Sequence, residues 1–168
     1  MKPDYANPHN NLGTLLARQG KLDEAMAHFS EALRILPDYA KAHNNLGEVL
    51  ARQGKFDEAA SHFHQAIQID PEYVDPQINL GALLAGQNKF DEALEHYAEA
   101  LRIEPNSVEA HNNMGSILAY QGKFEDAVAH FSQALRIEPD SARVRRNLER
   151  VLEQANKSGS EHIQATQP

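Results

Sequence analysis

The chain has 168 residues, with 16 Lys and Arg against 24 Asp and Glu, a formal net charge of -8 at pH 7, and neither Cys nor Trp. Without cysteine it can form no disulfide framework, thiolate metal site or cysteine nucleophile. The acidic balance argues against nucleic-acid binding, which needs clustered Lys and Arg. No apolar run is long enough for membrane insertion, and the first residues lack the apolar segment of a signal peptide. The cytoplasm is therefore the default location.

A pattern of 34 residues recurs four times along the chain. The repeats span 6–39, 40–73, 74–107 and 108–141, and the first two are identical at 21 of 34 positions. An internal period of this length is typical of a solenoid built from equal units. The sequence therefore predicts an array of four units rather than one globule.

Each unit predicts two helices. In the first unit, Leu12, Leu15 and Leu16 give the first helix an apolar face. A left-handed residue has to end this helix, and the position holds Gly or Asn in every unit. The second helix begins with two acidic residues, which suit the positive end of a helix dipole, and it ends before a proline. The core predicted for the second helix of the first unit is Ala25, Phe29, Ala32 and Leu33.

These residues resemble the tetratricopeptide repeat, a 34-residue unit with a Leu-Gly, Ala-x3-Phe and Pro pattern. In the first unit the matching residues are Leu12, Gly13, Leu16, Ala25, Phe29, Ala32 and Pro37. The third unit has Tyr97 at the Phe position, which the family accepts. An early position that is often aromatic in the family holds His9, His43, Gln77 and His111. The resemblance covers residues 3 to about 155. It implies an all-α fold, a right-handed superhelical solenoid of antiparallel helix pairs whose first helices line a concave groove.

The two ends of the array give separate predictions. Residues 142–155 predict a C-terminal capping helix with one apolar face, so the solenoid domain spans 1–155. Residues 156–168 are polar and predict a disordered tail. The segment 3–5 is in phase with the end of a repeat, which favours a piece cut from a longer array over a natural start that preserves a relic of a repeat. An uncovered first repeat would favour association with a second copy.

One polar position holds asparagine in all four units and in the predicted cap. An asparagine amide carries one acceptor and two donors, which match the C=O and N–H groups of an extended peptide backbone. The family geometry implies that this position lies on the concave surface. The row resembles the asparagine ladder in the peptide groove of O-linked N-acetylglucosamine transferases. The alternative is that these side chains bond neighbouring helices or are solvated. The row is Asn11, Asn45, Asn79, Asn113 and Asn147, and the other predicted groove residues are Asn10, Asn44, Ile78, Asn112 and Tyr120.

No residue pattern indicates catalysis, a cofactor or a metal site. The carboxylates recur with the repeat, whereas a catalytic site is normally unique in a chain. Four of the nine histidines, His28, His62, His96 and His130, lie one repeat apart. Packed helices are about 10 Å apart, so one metal ion cannot join two of these rings. The basic clamp with which another tetratricopeptide subclass binds C-terminal carboxylates is also absent.

The sequence therefore predicts a protein–protein interaction scaffold that is not an enzyme. Its partner is a protein or peptide segment, which lies extended in the concave groove. One alternative is a self-assembly module, a homo-oligomer formed through the repeat ends or by the tail in a neighbour's groove. Another is the regulatory or substrate-binding arm of a larger enzyme such as a glycosyltransferase.

Overall fold

In a computed structural model, the backbone is described for residues 5–165 and the side chains for residues 5–157. This part of the chain contains nine helices and no strand, which confirms the all-α fold class. None of these helices has both the length and the apolar character of a membrane span. The helices are α1 Ala6–Arg18, α2 Leu22–Ile35, α3 Ala40–Arg52, α4 Phe56–Ile69, α5 Val74–Gly86, α6 Phe90–Ile103, α7 Val108–Tyr120, α8 Phe124–Ile137 and α9 Ala142–Ala165.

Each of the four repeat frames contains one pair of helices, and α9 follows the last pair. The first helix of each pair ends before a residue with positive φ, as the sequence predicts. These residues are Gly20 (φ 78°), Gly54 (φ 79°), Asn88 (φ 62°) and Gly122 (φ 74°). The two acidic residues stand in the first turn of each second helix, where the helix dipole favours negative charge.

A glycine and a phenylalanine set the close approach of the two helices in a pair. The ring of Phe63 in α4 is buried and lies against Gly47 in α3. A Cβ atom on Gly47 would lie 2.7 Å from Cε1 of this ring, closer than carbon atoms pack. Gly13 and Phe29 repeat the arrangement between α1 and α2. The glycine therefore provides the space into which the ring fits.

The chain divides into two compact units, Met1–Asn88 and Lys89–Pro168. The first unit contains α1 to α5, and the second contains α6 to α9. Within the first unit, Cα atoms of α1 and α3, and of α3 and α5, approach within 8 Å, whereas those of the described residues of α2 and α4 do not come this close. The first helices are thus closer together than the second helices. The first unit therefore curves around the surface formed by α1, α3 and α5, which we call its inner face.

The predicted core of α1 is only partly buried. Leu16 is buried, but Leu12 is 42% and Leu15 is 52% exposed. The equivalent residues of α3, Leu46 and Val49, are 6% and 2% exposed. The reason is that α2 packs against α3, whereas nothing in residues 5–157 covers the same face of α1. Leu12 and Leu15 of the predicted apolar face are therefore not core residues within the described part of the chain.

The last helix is longer than the sequence predicts. The predicted cap ends at residue 155, but α9 continues to Ala165. Residues 156–165 of the expected disordered tail are thus helical, and residues 166–168 lie outside the described part of the chain. A single glycine in a helix costs only about 1 kcal/mol. No proline interrupts residues 142–167, so the ladder of backbone hydrogen bonds can continue.

Candidate functional site on the inner face of the first unit

The asparagine row forms hydrogen bonds between the first helices of successive repeats. In the first unit, Nδ2 of Asn45 donates a hydrogen bond to Oδ1 of Asn10 at 2.9 Å. Nδ2 of Asn79 donates to Oδ1 of Asn44, also at 2.9 Å. Each bond therefore links the second asparagine of one repeat to the first asparagine of the preceding repeat.

A second acceptor lies beside each of these amides. Nδ2 of Asn45 is 3.3 Å from Oγ1 of Thr14, and Nδ2 of Asn79 is 3.2 Å from Oε1 of Glu48. An asparagine amide has two hydrogens, so both donors of each amide have an acceptor. Among the residues that the structure describes, nothing donates to Oδ1 of Asn45 or Asn79. This oxygen is the one group of each amide that a ligand could use.

The asparagines of the second unit differ in what their amide oxygens accept. Nδ2 of Asn147 donates to Oδ1 of Asn112 at 2.9 Å, but Oδ1 of Asn147 accepts from Nη2 of Arg150 at 3.3 Å. Oδ1 of Asn113 accepts from Nδ2 of Asn112 at 3.2 Å. Asn113 also bonds the hydroxyl of Tyr97, whose burial raises its pKa to about 12. These amide oxygens are therefore already engaged within the second unit.

The other predicted groove residues fall into two classes. Tyr120 is 74% exposed, and its ring lies 4.9 Å from that of Phe90 within the second unit. The remaining four are buried beneath the surface, so the prediction that they lie on the groove wall needs correction. The physical reason is that this position faces the neighbouring first helix, where the amide oxygens of the three asparagines serve as acceptors. These buried residues are Asn10, Asn44, Ile78 and Asn112.

Two cavities open on the inner face of the first unit, one repeat apart. The first has a volume of about 270 Å³, lies between α1 and α3, and includes Asn45 and the ring of Phe29. The second has a volume of about 380 Å³, lies between α3 and α5, and includes Asn79 and the ring of Phe63. A ladder asparagine therefore stands in the wall of each cavity, above a buried phenylalanine of the second helix.

Histidine pairs join the two helices of a repeat, an arrangement that the sequence analysis missed. Nδ1 of His43 lies 2.9 Å from Nδ1 of His62. Nε2 of His43 is 3.0 Å from the carbonyl oxygen of Pro37, to which it donates its proton. When the ring of His43 is neutral, its Nδ1 therefore carries a lone pair and accepts a hydrogen bond from Nδ1 of His62. The same contact joins His9 to His28 and His111 to His130.

The signal for these pairs is a spacing of 19 residues between two histidines of one repeat. The 34-residue period relates histidines of successive second helices, whereas this spacing relates the two helices of one repeat. The pair His43 and His62 lines a cleft of about 640 Å³ that also includes Asp38 and Gln65. Burial and the neighbouring His43 lower the pKa of His62. No group of three or more metal-ligating side chains occurs among the described residues.

A profile of the tetratricopeptide repeat matches residues 38–106 and 76–140, and a second profile of this repeat matches residues 14–54. The chain belongs to the tetratricopeptide repeat family. It is accordingly a tetratricopeptide-type scaffold for protein interactions. A search of curated proteins finds no match.

Several solved structures have a similar fold, and one of them, YrrB, is described as a TPR protein. YrrB, described as having an unusual peptide-binding site, is 25% identical, with a TM-score of 0.70 over 90% of this chain and 78% of YrrB. PilF of Pseudomonas aeruginosa is 22% identical, with a TM-score of 0.85 over 92% of this chain and 70% of PilF. MamA is 23% identical, with a TM-score of 0.73 over 84% of this chain and 82% of MamA. At these identities, PilF and MamA support the fold alone.

Proposed function

We propose that this tetratricopeptide array binds an extended peptide segment along the inner face of the first unit. The observation that carries the proposal is the hydrogen bonding of Asn45 and Asn79. Their Nδ2 groups are held by the preceding repeat, which leaves Oδ1 of each residue as a positioned acceptor. Such an oxygen can accept a hydrogen bond from a main-chain N–H of any residue except proline.

The spacing of the acceptors suits an extended chain. Packed helices are about 10 Å apart, and a chain in the extended polyproline II conformation advances about 3.1 Å per residue with three residues per turn, so that every third residue lies on the same side. Successive ladder residues would therefore meet every third peptide N–H. Asn11 is exposed at the same repeat position of α1 and would extend the row. The likeness to the asparagine ladder of O-linked N-acetylglucosamine transferases and to the peptide-binding protein YrrB supports the same proposal.

The test replaces the two acceptors and measures peptide affinity. A nine-residue peptide is first selected on the folded chain from a random display library and then labelled for fluorescence anisotropy. Two net hydrogen bonds contribute about 1–3 kcal/mol, so Asn45→Ala/Asn79→Ala should weaken binding roughly 5- to 150-fold. N-methylation of the peptide's central amides should weaken binding to the parent chain in the same way, since it removes the N–H donors.

Asn147→Ala is the matched control. It loses the same kind of bond between repeats, but Asn147 lies in the second unit and its Oδ1 is engaged by Arg150. We expect it to bind the selected peptide as the parent chain does. The proposal fails if no peptide is selected, or if the double variant retains its helix content and full affinity.

A second candidate function is self-assembly through α1, with a second copy of the chain as the occupant. The exposed Leu12 and Leu15 favour it, since their equivalents in α3 are covered by a neighbouring helix. Association should then increase with concentration in sedimentation velocity and disappear in Leu12→Gln/Leu15→Gln. A parent chain that stays monomeric at the highest concentration would rule out this function.

A further inference from the structure

The two cavities of the inner face have equivalent positions but different chemistry. Moving the lining of the first cavity forward by 34 residues gives most of the lining of the second. The pairs on which the difference depends are Glu48 and Ala82, and Val49 and Leu83. The wall that α3 presents to the first cavity is thus replaced by α5 in the second.

The wall from α3 is charged. Arg52 and Glu48 belong to it, and Arg18 of α1 stands on the opposite side of the first cavity. Two hydrogen bonds from Nδ2 of Asn44 and Asn79 hold the carboxylate of Glu48 at 2.8 and 3.2 Å. The guanidinium of Arg18 is exposed and has no hydrogen-bond or ion-pair partner among the described residues. Two guanidinium groups against one carboxylate give this cavity a net positive lining.

The wall from α5 is apolar. Ala82 takes the place of Glu48, and Leu83 takes the place of Val49. The position of Arg52 is taken by Gly86, which contributes no side chain. The half-exposed ring of Phe56 also lines this cavity. The second cavity therefore has charge on its α3 side only and can bury a large apolar side chain on its α5 side.

We propose that each of these two cavities binds one side chain of the bound segment. The first cavity binds an acidic side chain, and the second binds a large apolar one. This inference rests on the proposed function, in which Asn45 and Asn79 hold the main chain between the cavities. The occupant is a segment of a partner protein in the extended polyproline II conformation, with the two side chains three residues apart, which places them on the same side of the segment at about the spacing of the repeats. An acidic side chain complements the charge of Arg18 and Arg52.

Designed peptides test this assignment. The probes are capped, fluorescein-labelled nine-residue peptides of Ala and Ser that carry Asp and Leu three positions apart, made in both orders. The peptide with one of the two orders of Asp and Leu should bind the chain. Replacing its Asp by Lys should weaken binding by at least about tenfold, and replacing its Leu by Ser should do the same, because each anchor fills a separate pocket.

Protein variants assign each preference to its cavity. Arg18→Gln should reduce the discrimination between the Asp and Lys peptides and leave the preference for Leu unchanged. Ala82→Glu/Gly86→Arg gives the second cavity the side chains of the first, so the preference for Leu over Ser should be lost. A Cβ atom on Gly86 meets no atom within 4 Å, and its φ is not positive, so the fold accepts this exchange.

The outcomes separate this inference from the proposed function. If all designed peptides bind equally, or none binds while a library-selected peptide still depends on Asn45 and Asn79, the cavity assignment is overturned and main-chain binding stands. If peptide binding does not depend on Asn45 and Asn79, the proposed function and this inference both fail. A Leu preference that persists in Ala82→Glu/Gly86→Arg also overturns the assignment.

Discussion

Two glycines of first helices, Gly47 in α3 and Gly86 in α5, differ in what an added methyl group would contact. At Gly47 a Cβ atom would lie 2.7 Å from the buried ring of Phe63, whereas at Gly86 it would meet open space. We expect Gly47→Ala to destabilise the fold by about 1–3 kcal/mol, because the ring or a helix has to move. Gly86→Ala should instead stabilise it by up to about 1 kcal/mol, since alanine restricts the unfolded chain.

Urea unfolding followed by circular dichroism measures both changes in free energy. Equal effects of the two alanines would contradict the idea that the ring of Phe63 fills the space above Gly47.

The histidine pairs make stability depend on pH. Burial and then His43 lower the pKa of His62, while Glu58 acts against the shift. Burial and then His111 lower the pKa of His130. The unfolded chain therefore binds protons at a higher pH than the folded chain does. The stability that these neutral rings contribute is present above about pH 6.5 and is lost as the pH falls toward the lowered folded-state values.

We therefore expect the Tm to fall on acidification from about pH 8 to about pH 5, the range in which histidine titrates. His43→Gln/His111→Gln removes the neighbouring imidazoles and uses the residue that stands at the equivalent position of the third repeat, Gln77. The decrease in Tm should be smaller in this variant. Differential scanning fluorimetry across the range checks it, and parallel curves for the two proteins would contradict the prediction.

Single residues show where sequence reasoning reached its limit. The repeated asparagine was visible in the sequence, but its bond to the first asparagine of the preceding repeat was not. That bond depends on the distance between first helices of successive repeats, which the order of residues along one helix does not encode. The contact of His43 and His62 left a spacing of 19 residues in the sequence, but that spacing indicates a contact only once the packing of the two helices of one repeat is known.

Among the elements, α1 and α3 have the same apolar pattern but different surroundings. Leu12 is 42% exposed in α1, and Leu46 is 6% exposed at the same position of α3. Leu46→Ala should therefore destabilise the chain by about 2–5 kcal/mol. Leu12→Ala should cost less than about 1 kcal/mol, because most of its side chain already contacts water.

Thermal or urea unfolding of the two variants provides this comparison. If Leu12→Ala lowers the free energy of unfolding as much as Leu46→Ala does, the apolar face of α1 that contains Leu12 and Leu15 is covered in solution. Sedimentation of the same sample would then identify a second copy as the cover.

Helix bounds were predictable because their signals are local. The positive-φ residues Gly20, Gly54 and Gly122 and the prolines after the second helices each act within a few residues. The end of α9 was not predictable from the same signals. Residues 156–165 are polar and include one glycine, yet the helix continues through them.

For the whole molecule, the period of 34 residues was enough to predict four helix pairs and a final helix. It was not enough to predict the division between Asn88 and Lys89, which separates α5 from α6 within the third repeat. A period states that neighbouring repeats resemble each other, so it cannot indicate a place where the chain divides. The residues that line each cavity could not be predicted from the period either, because the walls of each cavity come from three helices.

The difference between the two cavities has a consequence for how a ligand is aligned. If every cavity of a repeat protein were the same, a bound chain could slip by one repeat without a change in free energy, and it would occupy several frames at once. Ala82 and Gly86 remove this degeneracy, because a peptide shifted by one repeat would move an acidic group to the apolar wall. Two small residues in one helix would thus fix the register in which the whole ligand binds.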